Sequence, residues 1–449
     1  MTIKLDDRWE KAETAAKGVY DYDLTQERIA ASMGVSTRTV QKYLRDARKY
    51  GVIHFNIDGT YAMAGTRCEE EEGHMRLTFG LDEAVVIKQK EPPGPDEENS
   101  NEDPESQETE VAIEASEVKS PTAEDSNGKD DLLHLRLANQ AGSLVQFTGN
   151  GLHAAVSGGR AVYRTVQRIK RRSLSTTGVQ VSPLCGRIWA HSWKPTGTGR
   201  VQRPLDADDC AFVLAQAFEA AEGTGFTQIG MPLYSKDQKA ARNTMAAYCA
   251  FLPDGRWNWE LKVPDLAIVG CGVLDPEGGH RMAEVMKESP NIMKAAPYLR
   301  TAVRDLEEII EFVKKYELPF PGDVANRLFA ALPLPNEVNQ DNLDGYTRLY
   351  EQLNSLIRNL NNRSVVMQWR HLLGIPNVWC VCGGRFKARA LWTLLLAGLA
   401  ENKKNQGLIT ALATDFESAQ TLLGAWAQYK KKGRRLTEWY QRHVAECFA

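Results

Sequence analysis

Two segments of this chain, 152–169 and 377–396, follow the same pattern: a short apolar run, a pair of glycines and an amphipathic helix. Further apolar runs alternate with amphipathic stretches over the whole of residues 132–449. This alternation is typical of a largely parallel sheet covered by helices, because parallel strands need long crossover connections. We therefore predict an α/β domain for residues 132–449.

A glycine pair between a strand and a helix exposes backbone N–H groups beside the positive end of the helix dipole, which favours an anion. The first such loop is Ser157-Gly158-Gly159-Arg160. The pattern predicts an anion-binding loop here, although many α/β loops carry Gly-Gly for turn geometry alone.

The second loop contains Gly383, Gly384 and Lys387. A lysine in the first turn of a helix opposes the helix dipole, so it indicates an anionic partner, the alternative being a solvated surface lysine. A third apolar run ends in Gly270-Cys271-Gly272. Since ligands in open α/β sheets bind outside the carboxyl ends of the strands, the three loops are candidates for one site.

The N-terminal residues 1–63 carry the pattern of a helix-turn-helix. Thr25 can cap a first helix, Gly34 supplies a sharp turn, and Ser36 can cap a second helix whose apolar face includes Val40 and Leu44. Two runs, 52–56 and 60–63, can pair as a hairpin through Asp58-Gly59. Helix, turn, helix and hairpin in this order predict a winged helix-turn-helix.

The second helix has the composition of a DNA-recognition helix. Five cations and one acid occupy residues 38–49. Polar side chains near the start of such a helix read bases, and cations further along hold phosphates. The residues predicted to contact DNA are Ser36, Thr37, Arg38, Thr39, Gln41, Lys42, Arg45 and Arg48. The alternatives are a small helical domain with a solvated charged face, and a winged helix that binds another protein.

The net charge of −3 hides an uneven distribution. Residues 91–131 hold fifteen Asp and Glu and two Lys, a net charge of −13, so the rest of the chain carries +10. The acidic segment has no aromatic residue and is rich in Glu, Pro, Ser and Asn, which predicts a disordered linker. A mildly basic remainder fits a nucleic-acid partner, and the acidic segment could compete with DNA for it.

Other classes of protein do not fit the composition. The N-terminus lacks the apolar stretch of a signal peptide, and the longest strongly apolar run, 390–400, is too short to span a membrane. Eight cysteines are too few for a disulfide scaffold, and Cys380 and Cys382 are interpreted as small buried residues of a strand rather than metal ligands. We expect a cytoplasmic protein without a metal or cofactor.

Taken together, these segments resemble the SorC family of bacterial sugar-sensing transcriptional regulators. The resemblance covers most of the chain in the family's order, in the segments LTQERIAASMGVSTRTVQKYLRDARKYGVI (24–53), MRLTFGLDEAVVI (75–87), GLHAAVSGGRAVYRTVQRI (151–169), PDLAIVGCGVLDPE (264–277), PGDVANRLFA (321–330), IPNVWCVCGGRFKARAL (375–391) and GLITALATDFESAQTLL (407–423).

The resemblance implies a winged helix-turn-helix followed by a Rossmann-like effector domain of the sugar-isomerase type, which binds phosphorylated sugars without converting them. It implies that Ser157, Gly158, Gly159 and Arg160 lie on a phosphate loop, that Gly270 and Gly272 line the sugar pocket, and that Gly383, Gly384 and Lys387 close on the phosphate. It also implies a homo-oligomer, a tetramer or dimer, on a palindromic operator.

The chain departs from the family in two places. The acidic segment stands where a short joint is usual, so we divide the chain at 1–63, 64–131 and 132–449. The C-terminal sequence YKKKGRRLTEWYQRHVAECFA is an added basic stretch with Leu436, Trp439, Tyr440 and Val444 on one helical face. Internal packing is the favoured interpretation of that face, over oligomerisation or a DNA contact.

A DNA-binding regulator controlled by a small anionic effector is the leading functional hypothesis. The alternative on the same fold is a sugar-phosphate isomerase or deaminase, for which Asp275, Glu277 and His280 are the compact cluster of candidate acids and bases. Asp275 is also counted with the effector-binding residues. A protein-binding interaction module is the third hypothesis.

Overall fold

The structure is a computed structural model that describes residues 11, 14–15, 26–49, 66–88, 126–147, 151–170, 172, 176–186, 206–218, 225–226, 233–250, 263–274, 297–400 and 408–448. The chain divides into two compact units, Met1–Ala64 and Gly65–Ala449. Within the described residues, no helix is both long enough and apolar enough to cross a membrane.

The first unit contains the two helices that the sequence predicts, α1 (Gln26–Met33) and α2 (Thr37–Lys49). Gly34 has a φ of 64°, the left-handed conformation that a sharp turn between helices requires. Apolar residues of both helices form a small core, namely Ile29, Ala30, Val40 and Leu44, together with Ala15. The helix-turn-helix arrangement is therefore confirmed, while the predicted wing, 52–63, lies outside the described residues.

The second unit is built on an eight-stranded sheet in which all neighbours pair in parallel except the first two strands. The spatial order is β1-β2-β11-β10-β6-β3-β4-β5. The strands are β1 (Thr66–Arg67), β2 (Glu83–Lys88), β3 (His153–Val156), β4 (Gln180–Pro183), β5 (Gly225–Phe226), β6 (Leu266–Val269), β10 (Asn377–Val381) and β11 (Ala411–Asp415). This sheet confirms the predicted α/β class.

Helices cover both faces of the sheet because alternate strand residues point to opposite sides. One face packs against α4 (Ser126–Leu144), α5 (Arg160–Lys170) and α6 (Ala207–Ala215). The other face packs against α3 (Glu69–Phe79), α8 (Pro297–Lys315), α9 (Leu343–Asn361), α10 (Trp369–Leu372), α11 (Ala388–Ala400), α12 (Phe416–Lys431) and α13 (Arg434–Cys447). Helix α7 spans Gln238–Ala250, and 3-10 turns span Gln216–Phe218, Gln340–Asn342 and Arg385–Lys387.

The strand order reverses direction between β3 and β6. From β3 the chain crosses through α5 to β4 on one side, whereas from β10 it crosses through α11 to β11 on the other side. Right-handed crossovers that run in opposite directions place their helices on opposite faces, as α5 and α11 are. Beyond the carboxyl ends of β3 and β6, the chain therefore continues to opposite sides of the sheet. Folds of this kind bind ligands at this open position between the two strand ends.

The segment 64–90 was predicted to connect the two domains, and this prediction is wrong for its described part. Strand β2 pairs in parallel with β11 and lies inside the main sheet, with Val85, Val86 and Ile87 fully buried. The partner strand follows more than three hundred residues later in the sequence. A pairing between such distant segments leaves no local trace, so the apolar run could not be distinguished from a small separate element.

The predicted disordered linker, 91–131, also extends too far. Helix α4 begins at Ser126, because the buried residues Leu133, Leu137 and Ala141 hold it against the sheet and the helix continues back from them. Residues 91–125 of the linker lie outside the described residues.

A second, antiparallel sheet consists of β7 (Cys271–Val273), β8 (Gly322–Val324) and β9 (Arg327–Phe329). Strands β8 and β9 are joined through Ala325 and Asn326, which both have positive φ, 52° and 63°. Two positive φ values in succession characterise the tight hairpin turn that matches strand twist. Strand β7 follows β6 after one residue, so this small sheet lies beside the open position of the main sheet.

The basic C-terminal stretch forms α12 and α13, and α13 packs inside the same chain. Leu436, Trp439, Tyr440 and Val444 are all buried, with at most 6% of their surface exposed. Trp439 Nε1 donates to Thr347 Oγ1 at 3.1 Å, and the Tyr440 hydroxyl donates to the Pro333 carbonyl at 2.7 Å. The favoured interpretation, internal packing, is confirmed, because the apolar face is already covered.

Candidate functional site

The first glycine loop joins β3 to α5. The backbone N–H of Ser157 donates to the Ile268 carbonyl at 3.0 Å, and its side-chain oxygen accepts from the Gly270 N–H at 3.1 Å. Gly159 has a φ of 113°, which a residue with a Cβ rarely adopts. Ser157 thereby ties the loop after β3 to the loop after β6, at the point where the strand order reverses.

Gly270 lies where the three predicted loops meet. A Cβ on Gly270 would lie 3.4 Å from Val162 Cγ2, 3.9 Å from the Val381 carbonyl oxygen and 4.0 Å from the Gly158 carbonyl oxygen. Those three residues belong to α5, to the end of β10 and to the first loop. We call the region formed by Ser157–Arg160, Gly270 and Gly383–Lys387 the three-loop site.

Gly272 belongs to a different environment from the one its motif suggested. It lies within β7, opposite Asp323 of β8, and a Cβ there would collide with the Asp323 carboxylate. The glycine at this position thus provides room for the Asp323 side chain in the antiparallel sheet. Its assignment as an effector residue stays a prediction.

The second glycine loop is fixed by Asp415, the last residue of β11. The Gly384 N–H donates to Asp415 Oδ2 at 2.7 Å, and Gly384 has a φ of 111°. The same carboxylate caps α12, since it accepts from the Ser418 N–H at 2.9 Å and from the Ser418 hydroxyl at 2.7 Å. Sequence reasoning missed Asp415, although an Asp after an apolar run and three residues before a Ser is a helix-cap signal.

The described residues add a histidine to this site that the sequence did not single out. His134 on α4 is 8% exposed, and its Nε2 lies 3.4 Å from Lys387 Nζ. Burial, together with the charges of Lys387, Arg160 and Arg164, lowers the pKa of His134 to about 3, against a smaller opposing effect of a hydrogen bond with the Gly383 backbone. The ring is therefore neutral at neutral pH, with Lys387 beside it and Arg160 and Arg164 close enough for their charges to act on it.

Arg164 was also missed, and its position follows from helix geometry. It lies one turn after Arg160 on α5, so both arginines share the face of the helix that points toward His134. Arg160 is exposed and Arg164 is half-buried. Neither His134 nor Arg164 has a local motif, because the histidine lies on α4, the two arginines on α5 and Lys387 in the second glycine loop.

The structure brings most of the predicted effector residues together and leaves some undecided. Ser157, Gly158, Gly159, Arg160, Gly270, Gly383, Gly384 and Lys387 belong to the three loops at the carboxyl ends of β3, β6 and β10. Asp275, Glu277 and His280 lie outside the described residues.

The predicted DNA-contacting residues occupy α2 and Ser36, the residue before it. Ser36 caps the helix, with its side-chain oxygen accepting from the Thr39 N–H at 3.1 Å. Its hydroxyl also lies 2.8 Å from the Thr39 hydroxyl. The side chains of Thr37, Arg38, Gln41 and Lys42 are exposed. Arg45 and Arg48 belong to α2, but their side chains lie outside the description.

Cys380 and Cys382 are fully buried in the hydrophobic core, as predicted. Cys382 Sγ donates to the Cys271 carbonyl at 3.3 Å. Among the residues that the structure describes, no group of three His, Cys, Asp or Glu residues could hold a metal ion.

Comparisons with known proteins give likenesses to solved structures alone. No protein-family model matches the chain, and no curated protein matches it in sequence. The sorbitol operon regulator SorC from Klebsiella pneumoniae is 16% identical with a TM-score of 0.46, over 93% of this chain and 100% of that one. A DeoR family transcriptional regulator from Listeria monocytogenes is 15% identical, with a TM-score of 0.45 over 79% and 98%. A transcriptional regulator from Streptococcus pneumoniae is 16% identical, with a TM-score of 0.47 over 79% and 96%. Likenesses of this degree do not identify a function, which must come from the residues of the chain itself.

Proposed function

We propose that this protein is a DNA-binding transcriptional regulator whose operator affinity is controlled by a small anionic effector, a phosphorylated sugar, bound at the three-loop site. The observation that carries the proposal is the arrangement around His134. A neutral buried ring contacts Lys387 and feels the charges of Arg160 and Arg164, beside two glycine loops.

The charges of Lys387, Arg160 and Arg164 all act on the same buried ring, so an anion bound beside it would be attracted by all three. The glycine loops allow close approach of a ligand to the backbone, and the N-terminus of α5 adds partial positive charge. A phosphoryl group has the charge and the several acceptor oxygens that such an arrangement serves. We infer that the site binds the ligand without converting it. We also infer that the protein works in the cytoplasm, because the operator DNA to which it would bind is there.

The helix-turn-helix supplies the second half of the proposal. Exposed Thr37, Arg38, Gln41 and Lys42 at the start of α2 would read bases, while Arg45 and Arg48 would hold phosphates. A symmetric homo-oligomer, a tetramer or dimer, would present two such helices to a palindromic operator. The effector would bias the oligomer between arrangements of different operator affinity, which requires that it bind them unequally.

The ligand half is tested by thermal unfolding of the full chain with a panel of sugar phosphates and the corresponding free sugars. A ligand at about one hundred times its dissociation constant stabilises the folded state by about 2.7 kcal/mol. We expect stabilisation by a sugar phosphate, its loss in Lys387→Ala, and its retention in Lys236→Ala, which removes an exposed lysine elsewhere in the same unit. Absence of stabilisation by every phosphate would contradict the proposal, and turnover of any of them would replace it with an enzyme.

The DNA half is tested by selecting bound genomic fragments and measuring their affinity by fluorescence anisotropy at several salt concentrations. We expect Arg38→Ala to weaken binding to the selected fragment by about 1–3 kcal/mol and to leave binding to random DNA nearly unchanged. Arg242→Ala is the control, because it removes the same charge from an exposed position on α7. Equal affinity of the unmodified protein for selected and random DNA would contradict a regulator.

A further inference from the structure

His134 reaches the three-loop site from outside the glycine loops. Leu133 and Leu137, its neighbours on α4, lie so close to the second loop that a Cβ on Gly383 would be 3.2 Å from Leu133 Cδ2 and 2.6 Å from Leu137 Cδ1. This tight packing fixes the ring position relative to Lys387. The ring is therefore part of the site's fixed framework.

The hydrogen bonding of the ring is incomplete. A lysine ammonium can only donate, so Nε2 accepts from Lys387 Nζ, and the proton of the neutral ring is on Nδ1. Nδ1 is buried, and no described residue makes a hydrogen bond of normal geometry with it. The Gly383 backbone is close enough for a hydrogen bond with the ring, which favours its protonation. The acceptor of this largely buried ring is thus directed at a cation, and its donor has only a poorly aligned partner, whereas buried polar groups are normally well paired.

We propose that His134 is a ligand of the bound anion, with Nε2 becoming a hydrogen-bond donor to one of its oxygens when Lys387 turns from the ring to the anion. This inference rests on the proposed function and deepens it by adding a specificity residue to the same site. Nε2 takes its new proton from solvent, and Nδ1 keeps its own proton beside the Gly383 backbone, so the ring becomes a cation that the bound anion stabilises.

The chemistry of the arrangement selects a dianionic tetrahedral group. Lys387, Arg160 and Arg164 bring three positive charges whose effect reaches the ring, and a donating Nε2 adds a hydrogen bond to them. A terminal phosphomonoester offers two charges and three oxygens, whereas a carboxylate offers one charge and two oxygens in one plane. The site therefore favours a phosphorylated sugar over a sugar acid.

The first experiment observes Nε2 directly by ¹⁵N NMR of the full chain labelled at histidine, with inorganic phosphate or sulfate as the probe. Sulfate stays a dianion throughout the neutral range, so any proton change belongs to the protein. We expect the Nε2 signal of His134 to move from the unprotonated to the protonated range on binding, while exposed His74 does not respond. Binding of the anion with an unchanged His134 signal would overturn the inference.

The second experiment compares His134→Gln with His134→Asn for phosphate and sulfate binding. The Gln amide nitrogen can occupy the position of Nε2, whereas the Asn amide nitrogen occupies that of Nδ1. We expect the Gln variant to bind about as well as the unmodified protein and the Asn variant to bind about tenfold or more weakly, the value of one hydrogen bond to a charged group. Thermal unfolding without anion verifies that both variants fold.

The outcomes separate the two proposals. Anion binding that Lys387→Ala abolishes, but that both His134 variants retain, would overturn the role of His134 and leave the proposed function standing. Failure of the unmodified protein to bind phosphate, sulfate and every sugar phosphate would overturn both.

Discussion

Asp415 offers the sharpest test of how the three-loop site is held. Its carboxylate is 6% exposed and accepts three hydrogen bonds, from the Gly384 N–H, the Ser418 N–H and the Ser418 hydroxyl. One side chain thus caps α12 and also holds the second glycine loop. We expect Asp415→Ala to lower both the free energy of unfolding and the affinity of the site for phosphate.

The magnitude follows from the three contacts. Loss of an Asp helix cap costs about 1 kcal/mol, and each hydrogen bond to a charged acceptor is worth about 1.5–3 kcal/mol. Because the contacts share one carboxylate and are not additive, we expect a total of about 3–4 kcal/mol. Asp206→Ala is the matched control, since Asp206 caps α6 by accepting from the Asp209 N–H at 3.0 Å, and its cap is worth about 1 kcal/mol.

The assay is urea unfolding followed by tryptophan fluorescence, with phosphate binding measured on the same samples. Ser418→Ala isolates the hydroxyl bond, because it leaves the Gly384 N–H with its partner. Equal destabilisation by Asp415→Ala and Asp206→Ala would refute the reasoning, since it would mean that the bonds to the Gly384 N–H and to the Ser418 hydroxyl contribute nothing. Unchanged phosphate affinity in Asp415→Ala would show that the glycine loop does not need its anchor.

Two further expectations concern the parts of the chain that depart from the family resemblance. We expect Trp439→Ala to lower the free energy of unfolding by about 3–5 kcal/mol, as for other buried tryptophans. The control is Arg435→Ala, which removes a side chain that is 68% exposed and should lower it by less than about 0.5 kcal/mol. Equal effects of the two substitutions in urea unfolding would contradict the packing of α13. Deletion of 91–125, which removes thirteen acids and one Lys, is expected to raise DNA affinity at low salt and to change it less at physiological salt, because salt screens exposed charges. Anisotropy measurements that show no change at low salt would eliminate competition between the acidic segment and DNA.

Elements built from neighbouring residues could be predicted from the sequence. The turn at Gly34, the cap at Ser36 and the buried Val40 and Leu44 were all expected from local spacing. The two strand–glycine–helix segments were expected for the same reason, because a short apolar run and a helical period are visible within twenty residues. Their common location at one edge followed from the rule that parallel strands end together.

Other features depend on contacts between distant parts of the chain. The placement of β2 beside β11, the start of α4 at Ser126 and the pairing of Gly272 with Asp323 have no local signal. In each case burial against a remote segment outweighs local composition. The acidic residues that follow Ser126, for example, are helical because Leu133, Leu137 and Ala141 further along α4 pack in the core.

The three-loop site likewise has features that local sequence predicts and features that depend on distant contacts. The sequence alone determined the two glycine loops and the place of Lys387 at the start of a helix, which predict an anion, because backbone conformation and helix polarity are local properties. Only the tertiary structure decided that His134 and Arg164 join them and that Asp415 anchors the second loop. His134 lies on α4, Arg164 on α5 and Asp415 at the end of β11, so these groups are far apart in the sequence. They can interact only after folding has brought them close together.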